Sequence, residues 1–315
     1  MRFLYIVFSV LFIWSFIERQ KTEPIKTKEA LGKKLFFEKK LSRDNSISCG
    51  SCHRPEFAFA DTVPFSRGVA NGLGKRNTPT SMNMASREIF FFDGRAATLE
   101  EQAVFPIEDH LEMDILIDQA VQKIATDKTY IALFSKIYKT KPTKNNILDA
   151  LALFQKSLET TSPFDEYIAG DTLAISASAI RGHKLFIDPK NKCFECHFTP
   201  DFTADEFRNV GLFDGKKLND SGRYAITKNP NDIGKFKVPG LRNVAITAPY
   251  MHNGMFKTLE EVVAYYNNPY LTVSHPINID TLLLQPLNFT EQNKKDLVSF
   301  LKTLTDPKFN SKLKN

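Results

Sequence analysis

The chain has 315 residues, of which 42% are hydrophobic and 25% are charged. This balance is typical of a globular protein long enough for about two domains, and it excludes a disordered chain, a collagen-like fibre and a protein with several membrane spans. Lys and Arg exceed Asp and Glu by 42 to 36, without a long run of like charges that would indicate a nucleic-acid-binding arm. We therefore expect no nucleic-acid partner.

The N-terminus has the pattern of an export signal. After Arg2, the apolar run 3–17 is broken only by Ser9 and Ser15, and charged residues follow it. The run is shorter than the ~20 residues that span a bilayer comfortably, and no small-residue cleavage motif follows it. A cleaved signal peptide and a retained membrane anchor over residues 1–22 both stay open, and either one places the remaining chain in the periplasm.

Internal repetition is the clearest feature of the sequence. The segment Cys49–His53 (CGSCH) recurs as Cys193–His197 (CFECH), and Gly32–Phe36 (GKKLF) recurs as Gly182–Phe186 (GHKLF). A third match keeps seven identities at a constant offset of 160 positions, and it pairs Pro79, Asn83, Gly94, Thr98, Leu99, Glu100 and Glu101 with Pro239, Asn243, Gly254, Thr258, Leu259, Glu260 and Glu261. The chain therefore looks like a duplicated domain.

The hydrophobic pattern predicts a mainly α-helical protein with long loops. Both copies of Thr-Leu-Glu-Glu are typical of a helix start, where the Thr hydroxyl caps the helix and the second Glu bonds back to the N–H of the cap. Apolar residues at helical spacing predict further helices over about 147–158 and 297–304, and few segments alternate with period two. Ser162-Pro163 and Gly170-Asp171 interrupt the helical pattern and indicate a domain boundary between Phe164 and Ser176.

The two CxxCH motifs carry the chemistry. On a helical turn, Cys at i, Cys at i+3 and His at i+4 project to one side. The two sulfurs can then form thioethers with the vinyl groups of a haem while the imidazole reaches its iron, which is c-type haem attachment. The sequence predicts two covalent haem c groups, held by Cys49, Cys52 and His53 and by Cys193, Cys196 and His197.

Other uses of these cysteines are less favoured. A zinc site takes four nitrogen or sulfur ligands, whereas each motif offers three and the chain has no further cysteine. A redox-active CxxC pair needs no following His, and a disulfide framework does not usually repeat a two-residue spacer in a chain of this length. Metal and disulfide chemistry stay as alternatives.

A series of longer motifs accompanies the two haem sites. They are Arg76–Pro79 (RNTP), Phe91–Arg95 (FFDGR), Thr98–Ala103 (TLEEQA), Leu111–Met113 (LEM), Gly234–Pro239 (GKFKVP), Leu241–Val244 (LRNV) and Pro249–Gly254 (PYMHNG). On these motifs, residues 29–307 resemble the bacterial diheme cytochrome c peroxidase family, which includes the diheme enzymes that mature methylamine dehydrogenase. The resemblance implies two tandem cytochrome c-like domains with one covalent haem each, over residues 23–168 and 169–315.

The resemblance also implies the roles of single residues. The first haem would be the peroxide site, with His53 as its proximal ligand, and the second would be an electron-transfer centre ligated by His197. Glu112 matches the distal carboxylate that handles peroxide protons, and Gln102 matches its polar companion. Splitting H2O2 at iron needs one proton to leave one oxygen and arrive at the other, which a carboxylate near the iron can shuttle.

Calcium and protein partners follow from the resemblance alone. Asn77, Thr247 and Pro249 match positions that hold a calcium ion between the domains, and their side-chain and carbonyl oxygens suit Ca²⁺. Family relatives take electrons from a small cytochrome c or cupredoxin and are often dimers. We therefore expect H2O2, such a donor and a second copy of the chain as partners.

Two departures from the family pattern concern the first haem. Many relatives have a histidine that binds the resting peroxidatic iron, whereas this chain has Val69 at that position and no His over residues 56–75. The iron of the first haem is then expected to be five-coordinate or water-bound without reductive activation. Relatives also place a Trp between the haems, where this chain has Phe92. A tryptophan radical relay is not available at that point.

A third departure concerns the second haem. The peroxidases of the family ligate its iron with Met, but the matching position here is Tyr266. Tyrosinate is a harder ligand that lowers the potential, and this substitution marks the branch that matures amine dehydrogenases. Tyr265 is a rival for the role, and Met251 or Met255 are the alternatives because a thioether also binds haem iron.

The predicted function is that of a periplasmic diheme cytochrome c peroxidase, which reduces H2O2 to water with electrons from a small redox protein. One alternative is peroxide-driven oxidation of a protein or small substrate, which Tyr266 favours and Phe92 weakens. Another is a non-catalytic diheme electron carrier. The carrier needs two six-coordinate irons, whereas the sequence offers no evident sixth ligand to the first.

Overall fold

The structure is a computed structural model that describes residues 24–313. Within this range the chain forms twelve α-helices and one antiparallel sheet of two short strands. The helices are α1 (Lys28–Phe36), α2 (Cys49–Cys52), α3 (Leu99–Glu108), α4 (Ile117–Ala125), α5 (Lys128–Ile137), α6 (Lys144–Lys156), α7 (Pro163–Ile168), α8 (Ala177–Ile187), α9 (Cys193–Cys196), α10 (Tyr224–Thr227), α11 (Leu259–Asn267) and α12 (Glu291–Lys302), and the strands are β1 (Phe207–Arg208) and β2 (Phe236–Lys237). The predicted mainly α-helical class is confirmed.

The predicted signal peptide or anchor over residues 1–22 lies outside the described residues. Among the residues that are described, no helix has both the length and the apolar character needed to cross a membrane.

The same pair of crossed helices occurs twice. Helix α1 packs on α6, and α8 packs on α12. At the first crossing, a Cβ on Gly32 would lie 1.8 Å from the carbonyl oxygen of Ala150, and at the second a Cβ on Gly182 would lie 1.9 Å from that of Asp296. Only glycine allows the two backbones to approach this closely. The repeated glycines found in the sequence therefore set the helix contact in each half.

Each half has its own core of aromatic and aliphatic side chains. Phe36 meets Phe154 edge-on at a ring separation of 5.2 Å in the first core, and Phe186 lies 5.0 Å from Phe300 in the second. Such tilted contacts are the favoured arrangement of aromatic rings. Phe164 on α7 already packs in the second core, slightly ahead of the expected division at residue 168.

The repeated Thr residues cap α3 and α11. Thr98 Oγ1 accepts from the Glu101 N–H, and Thr258 Oγ1 accepts from the Glu261 N–H. Glu261 completes the predicted reciprocal bond, since its carboxylate accepts from the Thr258 N–H at 3.1 Å. Glu101 instead accepts from the N–H of Ala97, one residue before the cap, at 2.9 Å. The predicted reciprocal bond is therefore wrong for the first copy in this one detail.

Buried ion pairs join the two halves. Arg87 of the first half is paired with Asp201 at 2.5 Å and with Asp205 at 3.1 Å, and its side chain is 9% exposed. Lys237 pairs with the same Asp205 at 2.8 Å. Breaking one partner of a buried pair leaves an uncompensated charge, so these contacts hold the relative position of the two halves.

Candidate active site

A cavity of about 900 Å³ is lined mainly by the first half and partly by residues 219–220, 237 and 239–240 of the second, and its volume is within the range of ~300–1,000 Å³ that is usual for cofactor and ligand sites. The lining contains Cys49 and His53 from the first CxxCH motif together with Gln102 and Glu112. Apolar walls are provided mainly by Phe36, Met84, Phe91, Leu99, Phe105 and Leu151. The predicted haem-binding residues and the predicted proton-handling residues therefore share one cavity.

The first CxxCH motif presents a neutral, oriented imidazole. His53 Nδ1 lies 2.9 Å from the carbonyl oxygen of Phe59 and 2.9 Å from Ser81 Oγ. Burial lowers the pKa of His53, against the raising effect of hydrogen bonds with the Phe59 and Pro79 carbonyls. A neutral ring whose Nδ1–H is held by a carbonyl keeps Nε2 as its electron-pair donor, which is the usual arrangement of a metal-binding histidine.

The cysteines of the first motif are protonated thiols. Burial raises the pKa of Cys49 to about 12 and that of Cys52 to about 11. Zinc and thiol-disulfide exchange both use the thiolate, which a raised pKa disfavours. Moreover, within residues 24–313 no three His, Cys, Asp or Glu side chains converge on a common metal position. These observations do not support the zinc and disulfide alternatives.

Glu112 is a buried acid whose pKa lies near neutral pH. Burial, and then the neighbouring Asp109, raise its pKa to about 7, against the lowering effect of Arg95. Gln102, which lines the same cavity, lies on α3, whose first turn is capped by Thr98. A general acid–base residue works best when its pKa lies close to the working pH. Glu112 therefore has the proton affinity that its predicted role requires.

The segment that carries Glu112 is held by a tight loop over residues 68–72. The Val69 N–H donates to the Glu112 carbonyl at 2.8 Å, and the Gly68 N–H donates to the Gly72 carbonyl, also at 2.8 Å. A Cβ on Gly68 would lie 2.1 Å from the Leu111 carbonyl oxygen and 2.4 Å from that of Glu112. Because the contact is with backbone, only glycine fits there. The loop thus fixes the position of the Glu112 backbone at the cavity.

Arg95 completes the wall of the cavity near Glu112. Its guanidinium lies 3.5 Å above the ring centre of Phe91 and 5.3 Å from that of Phe105. It also donates to both carboxylate oxygens of Asp93, at 3.0 and 2.8 Å. A cation stacked on an aromatic face and paired with a carboxylate is well fixed.

The second CxxCH motif repeats the geometry of the first. His197 Nδ1 lies 2.8 Å from the Phe202 carbonyl, and burial lowers the pKa of its imidazole. Burial also raises the pKa of Cys193 to about 12 and that of Cys196 to about 11. The motif lies on α9 and its C-terminal end, as the first lies on α2. Each half therefore offers two thiols and one neutral imidazole.

The two candidate tyrosines near the second motif have different surroundings. The Tyr265 hydroxyl donates to the Val210 carbonyl at 2.5 Å, and its side chain is 2% exposed. Burial raises the pKa of Tyr266, and the nearby thiol groups of Cys196 and Cys193 raise it further. Tyr265 is thus already engaged in the fold, whereas the Tyr266 phenol lies within electrostatic reach of the cysteines of the second motif.

The methionine alternatives lie in the same region. Met251 and Met255 are partly buried, and both pack on the small apolar cluster that also contacts Tyr266. Met251 has a positive φ of 70°, and Asn253 Nδ2 lies 3.7 Å from the sulfur of Met255. Tyr266, Met251 and Met255 therefore all lie against the same apolar cluster.

Comparison with known proteins gives the family. The model of the di-haem cytochrome c peroxidase family matches residues 26–173. The cytochrome-c peroxidase IdrP1 of Denitromonas iodatirespirans is 36% identical over 310 residues, covering 88% of this chain and 81% of that protein. This chain belongs to the di-haem cytochrome c peroxidase family. It is therefore an oxidoreductase, as the sequence predicts.

Both branches of the family are similar to this chain. The methylamine utilization protein MauG of Methylophilus methylotrophus is 37% identical over 290 residues, covering 88% of this chain and 82% of that protein. The crystal structure of a MauG-like protein associated with microbial copper homeostasis superposes with a TM-score of 0.81 at 30% identity, covering 90% of this chain and 92% of that one. The predicted family and fold are both confirmed.

Haem is the cofactor of a di-haem peroxidase, and the residues present fit it. The first cavity has apolar walls, two neutral thiols and an imidazole whose Nδ1 contacts a backbone carbonyl. These are the groups that a c-type haem requires from the protein.

Of the predicted calcium residues, Asn77 lies where the two halves meet. The Asn77 N–H donates to the His252 carbonyl at 2.7 Å, and Asn77 Nδ2 donates to the Val63 carbonyl at 3.2 Å. Its Oδ1 is therefore turned away from these contacts. Thr247 Oγ1 donates to the Val244 carbonyl at 3.3 Å, and Pro249 lies two residues further along the same segment. Oxygens of this kind suit Ca²⁺, and the calcium site stays a prediction.

One charged network at the site was not found in the sequence. Arg76 donates to both carboxylate oxygens of Asp220, at 2.6 and 2.8 Å, and to Asp93 at 2.6 Å. His252 stacks on Phe236 at 3.7 Å, and burial lowers its pKa to about 4, so its ring is neutral. Arg76 and Asp220 are 144 positions apart, so no local signal pairs them.

Proposed function

We propose that this protein reduces hydrogen peroxide to water in the first cavity, with two electrons that enter through the second half. The balanced reaction takes one H2O2, two protons and two electrons to two water molecules. The observation that carries the proposal is the position of Glu112, a buried acid with a pKa of about 7 in the same cavity as His53. The peroxidase names of similar proteins support it.

We further propose that each haem is covalently bound by its own motif. Cys49 and Cys52 would form thioethers with one haem, and Cys193 and Cys196 with the other, while Nε2 of His53 and of His197 would bind the irons. The bound haem supplies the redox-active iron at which the O–O bond breaks. The carbonyls of Phe59 and Phe202 orient the two imidazoles for this role.

Glu112 handles the peroxide protons. Its carboxylate accepts a proton from one peroxide oxygen and, as the carboxylic acid, gives it to the oxygen that leaves as water. A pKa near 7 makes both directions accessible at neutral pH. Gln102, which lines the same cavity, orients the peroxide through its amide.

The cavity wall near Glu112 is largely aromatic. Phe91 and Phe105 line the cavity and meet edge-on at 5.4 Å, and the Arg95 guanidinium is stacked on both rings. The Val69 side chain is buried at 2% exposure and places no ligand in the cavity. We therefore propose that the first site is open to peroxide without reductive activation.

The second half delivers electrons from a small cytochrome c or cupredoxin. We propose Tyr266 as the additional iron ligand there, because its phenol lies within electrostatic reach of the cysteines of the second motif while the Tyr265 hydroxyl donates to the Val210 carbonyl. Phe92 lines the first cavity, and its carbonyl accepts from the Lys237 N–H at 2.7 Å. Electron transfer between the haems would proceed by tunnelling past Phe92.

Tyr266 also supports a second candidate function, peroxide-driven oxidation of a protein or small substrate. The similarity to MauG is in line with this alternative. A phenylalanine at position 92 weakens it, because a redox-active indole is not available there.

The cellular setting is also a proposal. The apolar N-terminal segment and the extracytoplasmic attachment of bacterial haem c support a periplasmic protein, with the segment either cleaved or kept as an anchor. A calcium ion at Asn77, Thr247 and Pro249 and a homodimer complete the proposed assembly.

One experiment tests the function and separates the alternatives. The oxidised and the half-reduced holoprotein are examined by EPR, and H2O2 consumption is then measured with and without a reduced donor cytochrome. The peroxidase predicts a high-spin first haem and consumption that requires the donor. Consumption coupled to oxidation of an added protein substrate, without the donor, would favour the second function. Two low-spin haems that are inert to peroxide would refute both and leave an electron carrier.

A further inference from the structure

The two proximal histidines differ in one hydrogen bond. His53 Nδ1 contacts both the Phe59 carbonyl and Ser81 Oγ at 2.9 Å, whereas His197 Nδ1 contacts the Phe202 carbonyl at 2.8 Å. Within residues 24–313, no side-chain hydroxyl contacts the imidazole of His197. The first site therefore has a hydrogen-bond partner that the second site lacks.

The difference comes from a single position of the repeat. Ser81 lies two residues after Pro79, and the residue two after Pro239 is Leu241. The Ser81 N–H donates at 3.2 Å to the Phe59 carbonyl, the same one that His53 Nδ1 contacts. The Leu241 N–H donates at 3.2 Å to the carbonyl of Asp201, one residue before the Phe202 carbonyl that His197 Nδ1 contacts. Leu241 packs on the second core instead of bonding to the imidazole. The two positions are thus equivalent in the repeat and differ in the side chain.

The Ser81 hydroxyl is committed to His53. The residue is 6% exposed, and among residues 24–313 Ser81 Oγ has His53 Nδ1 as its hydrogen-bond partner. When Nε2 binds iron, Nδ1 keeps its proton, so Ser81 Oγ accepts from it beside the Phe59 carbonyl. A second acceptor draws the proton from the ring and makes the imidazole a stronger donor to iron, which favours the oxidised metal.

We propose that Ser81 is a positioning residue that strengthens His53 as an iron ligand and lowers the reduction potential of the first haem relative to the same site without the hydroxyl. The residue two positions after Pro79 and Pro239 would thereby contribute to different reduction potentials at the two sites of the duplicated fold. The inference rests on the proposed haem attachment at Cys49–His53, and it does not depend on peroxide turnover.

The test compares Ser81→Ala with Ser81→Thr in the haem-loaded protein. Redox titration followed by EPR gives the potential of each haem, and resonance Raman spectra of the reduced protein give the iron–histidine stretching frequency. In Ser81→Ala the ratio of oxidised to reduced first haem at a fixed potential falls about fivefold, as expected for one lost neutral hydrogen bond, which is ~40 mV for a one-electron couple. The iron–histidine stretch moves to lower frequency. Ser81→Thr keeps the hydroxyl and keeps both values.

A reciprocal variant keeps the inference testable if Ser81→Ala does not bind haem. Leu241→Ser introduces a hydroxyl at the equivalent position of the second site, and it is expected to lower the potential of the second haem while that of the first is unchanged. The inference is overturned if Ser81→Ala, with both haems bound, keeps the wild-type potential and stretching frequency. It is equally overturned if Ser81→Thr shifts both as far as Ser81→Ala does, or if a haem-loaded Leu241→Ser leaves the second potential unchanged. If the variants show the predicted shifts in potential and stretching frequency but the wild type does not consume peroxide, the proposed function is refuted and this inference is not.

Discussion

Replacing Glu112 by Gln tests two consequences of burying an acid in the cavity, which are proton transfer to and from peroxide and a pH-dependent stability of the fold. Gln has nearly the same shape as Glu but cannot exchange a proton. Because positioned acid–base catalysis contributes about 10²–10⁴-fold, Glu112→Gln is expected to slow peroxide reduction by a factor in this range. The wild-type rate should rise with pH through about 7, where the carboxylate that accepts the peroxide proton forms. The variant should not show this rise.

The same substitution has the opposite effect on stability at alkaline pH. Burial raises the pKa of Glu112 from 4.5 to about 7, so the folded state binds its proton more tightly than the unfolded state does. This contribution amounts to at most roughly 3 kcal/mol; it is fully present below pH ~4.5 and is lost as the pH rises through about 7. The glutamine amide does not ionise, so Glu112→Gln should be the more stable protein at about pH 8 and close to wild type at about pH 4.

Stopped-flow measurement of peroxide consumption between about pH 5 and 9 tests the first part, and guanidinium unfolding of the holoprotein between about pH 4 and 9 tests the second. Glu88→Gln, on the exposed surface, is the matched control and should behave like wild type in both assays. A Glu112→Gln protein that keeps the wild-type rate would refute the proton-transfer role. Equal stability of wild type and variant at about pH 8 would refute the burial argument.

Three further predictions concern the cavity loop, the second haem and the calcium site. Gly68→Ala would place a Cβ 2.1 Å from the Leu111 carbonyl oxygen, so we expect a loss of about 1–3 kcal/mol in unfolding free energy and slower peroxide reduction. Gly74→Ala is the control, because its Cβ would lie 3.4 Å from the nearest atom, and it should change neither property; equal effects of the two variants in denaturation and turnover assays would contradict the prediction. Tyr266→Phe should alter the EPR spectrum of the second haem, while Tyr265→Phe loses one hydrogen bond worth about 1 kcal/mol and keeps the spectrum; an unchanged Tyr266→Phe spectrum would exclude it as a ligand. Calcium chelation should lower the thermal unfolding temperature of the wild type but not of Asn77→Ala, and the absence of any effect on the wild type would argue against a calcium site.

The duplicated architecture could be predicted because each repeated motif consists of residues that lie close together in the sequence. Gly32 and Gly182 stand at the start of equivalent GxKLF segments, and both lie at the helix crossings that build the two cores. The two CxxCH motifs are equally local, since their three groups lie within five positions. The cap of α3 shows the limit, because whether Glu101 bonds to Thr98 or to Ala97 depends on the turn before the helix.

The electrostatics of the site could not be predicted in the same way. The raised pKa of Glu112 depends on how completely its surroundings remove water, and the approach of Arg95 to it depends on tertiary packing. Ser81 reaches His53 across 28 positions, and Arg76 reaches Asp220 across 144. Such contacts are set by the packing of the two halves, which a single sequence does not display.

The most direct test of the account is the number of haems that stay attached to the denatured chain. The protein is unfolded in acid, extracted with organic solvent, and its remaining haem is counted per chain by the pyridine haemochrome spectrum. We predict two thioether-bound haems in the wild type and one in Cys49→Ala/Cys52→Ala, the latter with no peroxide reduction. Haem that passes into the solvent, or a wild-type chain that retains a single haem, would contradict the account.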